Sequence, residues 1–499
     1  MNKKAVAYTL SNLLLFLSAA LAAPLFVALY YSRAHGETGV ASFLVSIVVA
    51  AVVGLAGRII LKGNAELRNR EGIAAVALGW TVVALFGSLP FLFEGVFYEP
   101  GRSKFEEFVF CFFESISGFT TTGATVLTDI EPVSHAVLFW RSLTHWIGGM
   151  GIVVLAVAIL PLLGVGGMQL YRAEAPGPET DRLTPRIAQT AKIMWGIYAA
   201  ISAAEFLLLW AGGMSPFDAA CHTFGTMATG GFSTKNASIQ HYNSLYFDIV
   251  ILVFMFLAGT NFALHLKLIR GDFKAHIKDA EFRFYAATLA AAVLLIMWNT
   301  MHPPKGETPL YDSIPEAARH ASFQVGSILS TTGYATADFE MWPALSQALL
   351  VILMLFGGCA GSTAGGMKHI RMMLLLKHGY VEVKRLVMPR SVIAIRVGDR
   401  VVSPDIMKNI LGFFFLFMAL FAGATCFMTT LGMDIVSAGS SVIAAMFNIG
   451  PGLGTVGPTD NYAHIPILGK CALSFCMLLG RLELFTVLAL FAPQLWKRR

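Results

Sequence analysis

TTTGAT, residues 120–125, is the stretch on which the reading of the whole chain turns. Threonines around a glycine make poor helix, and such a run belongs in a surface loop. Here it sits between two strongly apolar stretches, about ten residues from each. Similar runs recur: TTGAT at 121–125, ATGGF at 228–232, TTGYA at 331–335 and NIGPG at 448–452. Their central glycines, Gly123, Gly230, Gly333 and Gly450, lie 107, 103 and 117 residues apart. Each run follows a short, half-apolar, helix-like segment and precedes another long apolar stretch. A repeat of this kind is sought before any other feature, because it sets the architecture.

The surroundings are those of a membrane. Of 499 residues, 56% are apolar and 13% charged, with a mean hydropathy of +0.67; soluble domains carry roughly twice that charge. Continuous apolar runs of about 20 residues match the bilayer core as helices, and their lack of alternation argues against a barrel. Ten spans are expected, at 8–31, 39–61, 72–94, 136–164, 193–213, 244–266, 281–300, 342–376, 405–430 and 464–493. The run 342–376 is too long for one span and is interrupted by glycines. The first apolar run continues too far for a cleavable signal peptide and reads as a first span.

Lys and Arg concentrate on one side of this layout, including Lys3, Lys4, Arg68, Arg70, Lys274, Lys278, Lys384, Arg385 and Lys497–Arg499. By the positive-inside rule both termini are expected in the cytoplasm. The net charge of +6 is mostly this bias and gives no indication of nucleic acid. The six scattered cysteines form no CxxC and read as small buried hydrophobes. No HExxH, GxSxG or Walker motif is present, which argues against a membrane enzyme.

Non-helical backbone at membrane depth persists only where protein buries it or water lines it. Four glycine-centred strands around one axis would aim rings of carbonyl oxygens inward, and carbonyls can replace the hydration shell of a cation. The preceding short helices would point their negative C-terminal ends at the ion. The expected filter residues are Thr121, Thr122 and Gly123; Ala228, Thr229 and Gly230; Thr331, Thr332 and Gly333; and Asn448, Ile449 and Gly450.

With GFTTTGATVL, MATGGFST, STTGYAT and NIGPGLGTVGP as four pore loops, GGCAGSTAGGMK at 357–368 and GRLELFT at 480–486, the chain resembles the Trk/Ktr/HKT superfamily of potassium transporters, most closely its TrkH/TrkG branch. The resemblance implies an all-α polytopic membrane protein with four M1–P–M2 pore repeats in pseudo-fourfold symmetry, plus two extra N-terminal transmembrane helices. The corresponding regions are 1–65 for the two N-terminal helices, then repeats at 66–170, 171–275, 276–395 and 396–499. It implies potassium uptake across the plasma membrane, the inner membrane if bacterial, as the ion-conducting subunit of a Trk-type system. It also implies a homodimer and a cytosolic nucleotide-binding regulatory subunit of TrkA type. Beyond lipid no further partner is expected, and no nucleic acid. Potassium is the expected transported ligand, with no covalent cofactor and no other metal.

In that family serine at the first filter glycine accompanies sodium transport, so Gly123 favours potassium. An intramembrane gate at 357–367 is expected, carried by Gly357, Gly358, Gly361, Ser362, Thr363, Gly365 and Gly366, with Lys368 and Arg481 beside it. Arg481 stands midway along the last span, where a charge usually marks function. Lys470 is expected to snorkel. The acids on the predicted outer side, Glu94, Glu99, Glu106, Glu107, Glu114, Asp129, Glu131, Asp218, Asp338 and Glu340, would form a cation-attracting vestibule. The basic segment 377–402 could dock the regulatory subunit. The alternative reading is a sodium- or proton-coupled cation carrier; inverted repeats would support it, whereas these repeats share one orientation.

Overall fold

The computed structural model describes all residues except 62–68, 159–182, 305–307, 392, 399 and 497–499. The expected boundaries at 65/66 and 170/171, together with Arg68, Lys305 and Lys497–Arg499, lie outside the described residues. The regular structure of the described residues is helical apart from one hairpin of two-residue strands, Arg396–Val397 against Arg400–Val401.

After an N-terminal hairpin of helices (Lys3–Ala20 with Ala22–His35, then Val40–Ile60), one motif occurs four times. A long helix leads to a short helix, a polar loop and a closing helix. The long helices are Asn69–Gly87, Leu183–Ala211, Ala280–Met301 and Pro404–Thr430. The short ones are Lys104–Phe119, Pro216–Met227, Ile314–Leu329 and Ile435–Met446. The short helices start at Ser103, Ser215, Ser313 and Asp434, residue types that cap helices well. Ser103 and Glu106 form a capping box, Ser215 Oγ accepts from Asp218 N–H, and Asp434 accepts from Val436 and Ser437.

The closing helices differ from expectation. Six described helices are long and apolar enough to span a bilayer, and two further pairs qualify only as bent units. In the second repeat Leu245–Ala258 turns by 100° into Phe262–Ile269. Gly259 ends the first piece, and the Asn261 side chain caps the second by accepting from Ala263 N–H. In the fourth, Ile467–Arg481 turns by 116° at Leu482–Glu483, where Glu483 has φ 55°. In the third, Ala344–Met354 stops and His369–Val387 resumes after a 14-residue loop. The expected single spans 244–266 and 464–493 are therefore each two helices with a corner between them.

Candidate functional site

All four short helices end in the same way. The C-cap residues Thr120, Ala228, Ser330 and Phe447 are followed by Thr121, Thr229, Thr331 and Asn448, with φ of 52°, 54°, 60° and 55°. The N–H of the next residue then reaches back five positions: Thr122 to Ser117 O, Gly230 to Gly225 O, Thr332 to Ser327 O and Ile449 to Ala444 O, at 2.8–2.9 Å. This is a Schellman end, which normally places glycine in the left-handed position. A side chain there costs about 1–2 kcal/mol, and three threonines and an asparagine occupy it.

One residue beyond each N–H that reaches back stand Gly123, Gly231, Gly333 and Gly450, with φ of 81°, 77°, 83° and 99°. The second repeat is therefore one residue out of the expected register. Gly231, not Gly230, is the counterpart of Gly123, and Ala228 closes the short helix rather than opening the strand. The distance from helix cap to glycine carries the signal. From Ser103, Ser215, Ser313 and Asp434 it is 20, 16, 20 and 16 residues. Deleting four residues removes about one helical turn and keeps the face.

The four strands form a closed ring. A Cβ on Gly123 would lie 2.0 Å from the Gly230 carbonyl oxygen, on Gly231 2.0 Å from that of Thr332, and on Gly333 2.0 Å from that of Ile449. On Gly450 it would lie 2.8 Å from the Thr122 carbonyl oxygen, which closes the circle. The same four glycines line one cavity of about 120 Å³.

A polar cuff surrounds this ring. Arg141 is buried and pairs with Glu114 at 2.5 Å, donates to Ser233 O and lies over the Phe232 ring. Glu114 also accepts from Thr125 Oγ1 and Val126 N–H. Tyr334 Oη donates to the carbonyls of His222 and Phe232, Tyr462 Oη to that of Gly450, and Tyr462 N–H to Thr125 O. Glu340 accepts from Gly454 N–H; burial raises its carboxyl, and that bond opposes the rise. Every repeat is thus tied to its neighbour. Glu114, expected in an outer vestibule, is instead a buried brace. Lys470 does not snorkel; its ammonium is buried, donating to the carbonyls of Ala463 and Ile465. His145 packs flat on Phe232 behind Gly230, and neither ring nitrogen has a hydrogen-bond partner among the described residues.

The glycine-rich loop lies against one end of the ring. Gly357 N–H donates to Met367 O, pinching the loop at its base, and Ser362 Oγ folds onto Cys359 O. Gly358 approaches the Gly259 carbonyl so closely that a Cβ would stand 2.7 Å from it. Gly361 and Gly366 adopt φ of 76° and 68°. Thr363 Oγ1 donates to Met227 O and Ala258 O, and Gly365 N–H donates to Thr331 Oγ1 at 2.7 Å. Lys368 Nζ turns back onto Ala364 O. Arg481 is buried and donates to Thr363 O at 2.7 Å and Gly148 O at 3.1 Å, bridging the loop to the closing helix of the first repeat. Its neighbour Glu483 pairs elsewhere, with Arg371 at 2.6 Å.

Glu281 was not singled out from sequence. One of its carboxylate oxygens accepts from both Ala360 N–H and Ile370 N–H, at 2.7 and 3.0 Å, so it holds the two limbs of the loop. Its position at the start of a long helix resembles an ordinary first-turn acid, and nothing in the sequence distinguishes it.

A helical membrane protein with four re-entrant short helices, whose left-handed ends close into one ring, defines a pore-loop architecture. The TrkH family of cation transport proteins matches residues 39–498, and this chain belongs to it. The chain is 41% identical, over all of both sequences, to the Trk system potassium uptake protein TrkH of Salmonella typhimurium. It is 32% identical to TrkG of Escherichia coli, covering 95% of this chain and 94% of TrkG. Among solved structures it resembles the potassium transporter TrkH of Vibrio parahaemolyticus, with a TM-score of 0.88 and 36% identity, covering all of both chains. These relatives are named as transport proteins, not enzymes.

Proposed function

We propose that this chain is the ion-conducting subunit of a potassium uptake system in the bacterial inner membrane. The observation that carries this reading is the closed ring of four left-handed corners and four glycines around a single cavity. Backbone held in that shape presents consecutive carbonyls that can stand in for water around a dehydrated cation, and the four short helices end there with their negative poles. The filter then consists of Thr121, Thr122 and Gly123; Thr229, Gly230 and Gly231; Thr331, Thr332 and Gly333; and Asn448, Ile449 and Gly450. Potassium is the cargo, not a resident cofactor.

The loop 357–367 is the gate. Its hydrogen bonds to Met227, Thr331 and Arg481 support this reading, in which it lies across the inner end of the filter, held by Lys368, Glu281 and Arg481. The face carrying the short-helix N-termini is external, and both termini are cytoplasmic. A second copy of the chain and a nucleotide-binding subunit of TrkA type are the partners. For the latter, the helix ending at Val387 offers exposed Tyr380, Val383 and Leu386 along one side among basic residues.

Rubidium tracer uptake into liposomes, with potassium and sodium as competitors, tests this reading. Wild type should be blocked by potassium far better than by sodium. Gly123→Ser, which sets a side chain against the Gly230 carbonyl, should lose that discrimination. Equal competition in wild type, with an indifferent mutant, would move the coupled-carrier reading to first place.

A further inference from the structure

The four left-handed residues occupy equivalent backbone positions, yet their side chains are engaged differently. Thr121 Oγ1 is buried without a hydrogen-bond partner among the described residues. Thr229 Oγ1 turns back onto Ala228 O. Asn448 Nδ2 donates to Thr122 Oγ1 and to Met477 O, both at 2.9 Å. Thr331 alone among the four accepts from the glycine-rich loop, through Gly365 N–H.

Gly365 is seated directly on the inner end of the ring. A Cβ there would stand 2.5 Å from the Phe447 carbonyl oxygen and 2.9 Å from Asn448 Cβ. Two residues earlier, Thr363 is bonded to Met227 O at the end of the second short helix. The loop therefore touches the inner ends of three of the four repeats. Only at Thr331 does it take up a side-chain oxygen of the ring. Gly365 N–H takes one of the two lone pairs of this hydroxyl oxygen, and the backbone that carries it is packed against Phe447 O and Asn448 beside it.

We propose that Thr331 is a latch residue at which the loop and the permeating cation compete for the same hydroxyl oxygen. With the loop in place, Gly365 N–H holds Oγ1 and the backbone of 363–366 fills the space beneath the ring. When the loop leaves, that oxygen is released to a potassium ion at the inner end of the filter. Competition for one group couples the two events reciprocally: an ion that binds there favours the displaced loop, and the closed loop disfavours the ion. The inference rests on the filter and gate reading above and adds to it the residue through which the two communicate.

Cys359 reports loop position, because it lies in the loop and is 1% exposed. Purified protein in liposomes would be treated with N-ethylmaleimide in potassium or in sodium at equal ionic strength. Modification of the Cys359 peptide would be timed by mass spectrometry. Wild type should label about fivefold faster in potassium than in sodium, the lower end of ordinary coupling. Thr331→Val, which keeps the shape and removes the hydroxyl, should label fast in both salts. Thr331→Ser, which restores the hydroxyl, should restore slow labelling in sodium and faster labelling in potassium.

Equal labelling of wild type in the two salts overturns the latch, and needs no variant. So does a Thr331→Val protein that keeps the slow rate in sodium and the full response to potassium. Rubidium competition on the same wild-type liposomes separates the two levels. No preference for potassium there removes the filter reading and the latch with it. A clear preference combined with salt-independent labelling removes the latch alone.

Discussion

The ring and the closing helices obey opposite rules. At the ring the four repeats agree closely: the left-handed corners span 52–60° in φ, and three of the four glycines span 77–83°. Only Gly450, followed by Pro451, departs, at 99°. The closing helices share no such geometry. The first, His135–Ala158, is continuous, the second bends by 100°, the third opens into a loop and the fourth bends by 116°. On the filter reading proposed above, this even geometry is what surrounding a dehydrated cation requires, since every carbonyl contributes to replacing water. Symmetry is lost where the structure has to hold one asymmetric object, the loop, against one end of the ring.

If the ring is rigid because the cuff braces it, removing the brace should have the largest effect. Arg141→Met leaves Glu114 buried without its partner, and breaking such a pair costs about 3–5 kcal/mol. The thermal unfolding midpoint in detergent should fall by several degrees, with loss of uptake. An unchanged midpoint would show that the ring does not depend on the pair.

The register of the second strand offers a finer test. Gly231→Ala puts a Cβ on the Thr332 carbonyl at a left-handed position. Strain of about 1–3 kcal/mol at such a site predicts a fall in rubidium uptake of about tenfold. Wild-type uptake in this variant would return the counterpart of Gly123 to Gly230.

The smallest effect belongs to the asymmetric side. Arg481→Gln shortens the side chain and removes its charge, weakening the bonds to Thr363 O and Gly148 O. Basal uptake without any partner subunit should rise about fivefold, the scale of one charged hydrogen bond partly replaced. The unfolding midpoint should stay near wild type. A fall in uptake with normal folding would assign Arg481 to conduction rather than to holding the loop.

The apolar runs, the four glycine-centred strands and the broken third repeat are legible in the sequence, because each is local. A bilayer admits only backbone that satisfies itself, so helix length and helix interruption are written residue by residue. Arg481 is legible too, as a charge where none is expected. The adjacent glycines at 230 and 231 are not resolved locally, since either could stand in the left-handed position; the end of the short helix decides between them. The corner at Leu482–Glu483 contains neither glycine nor proline, and it exists where Glu483 meets Arg371 on another helix. Glu114 and Glu281 look like solvated or helix-capping acids until the fold buries one against Arg141 and sets the other between the limbs of the loop. The sequence by itself determined that there are four pore-loop units. Only the tertiary structure decided which atoms of those units face one another, because hydrogen bonds between residues a hundred or more positions apart depend on how the units close around the axis.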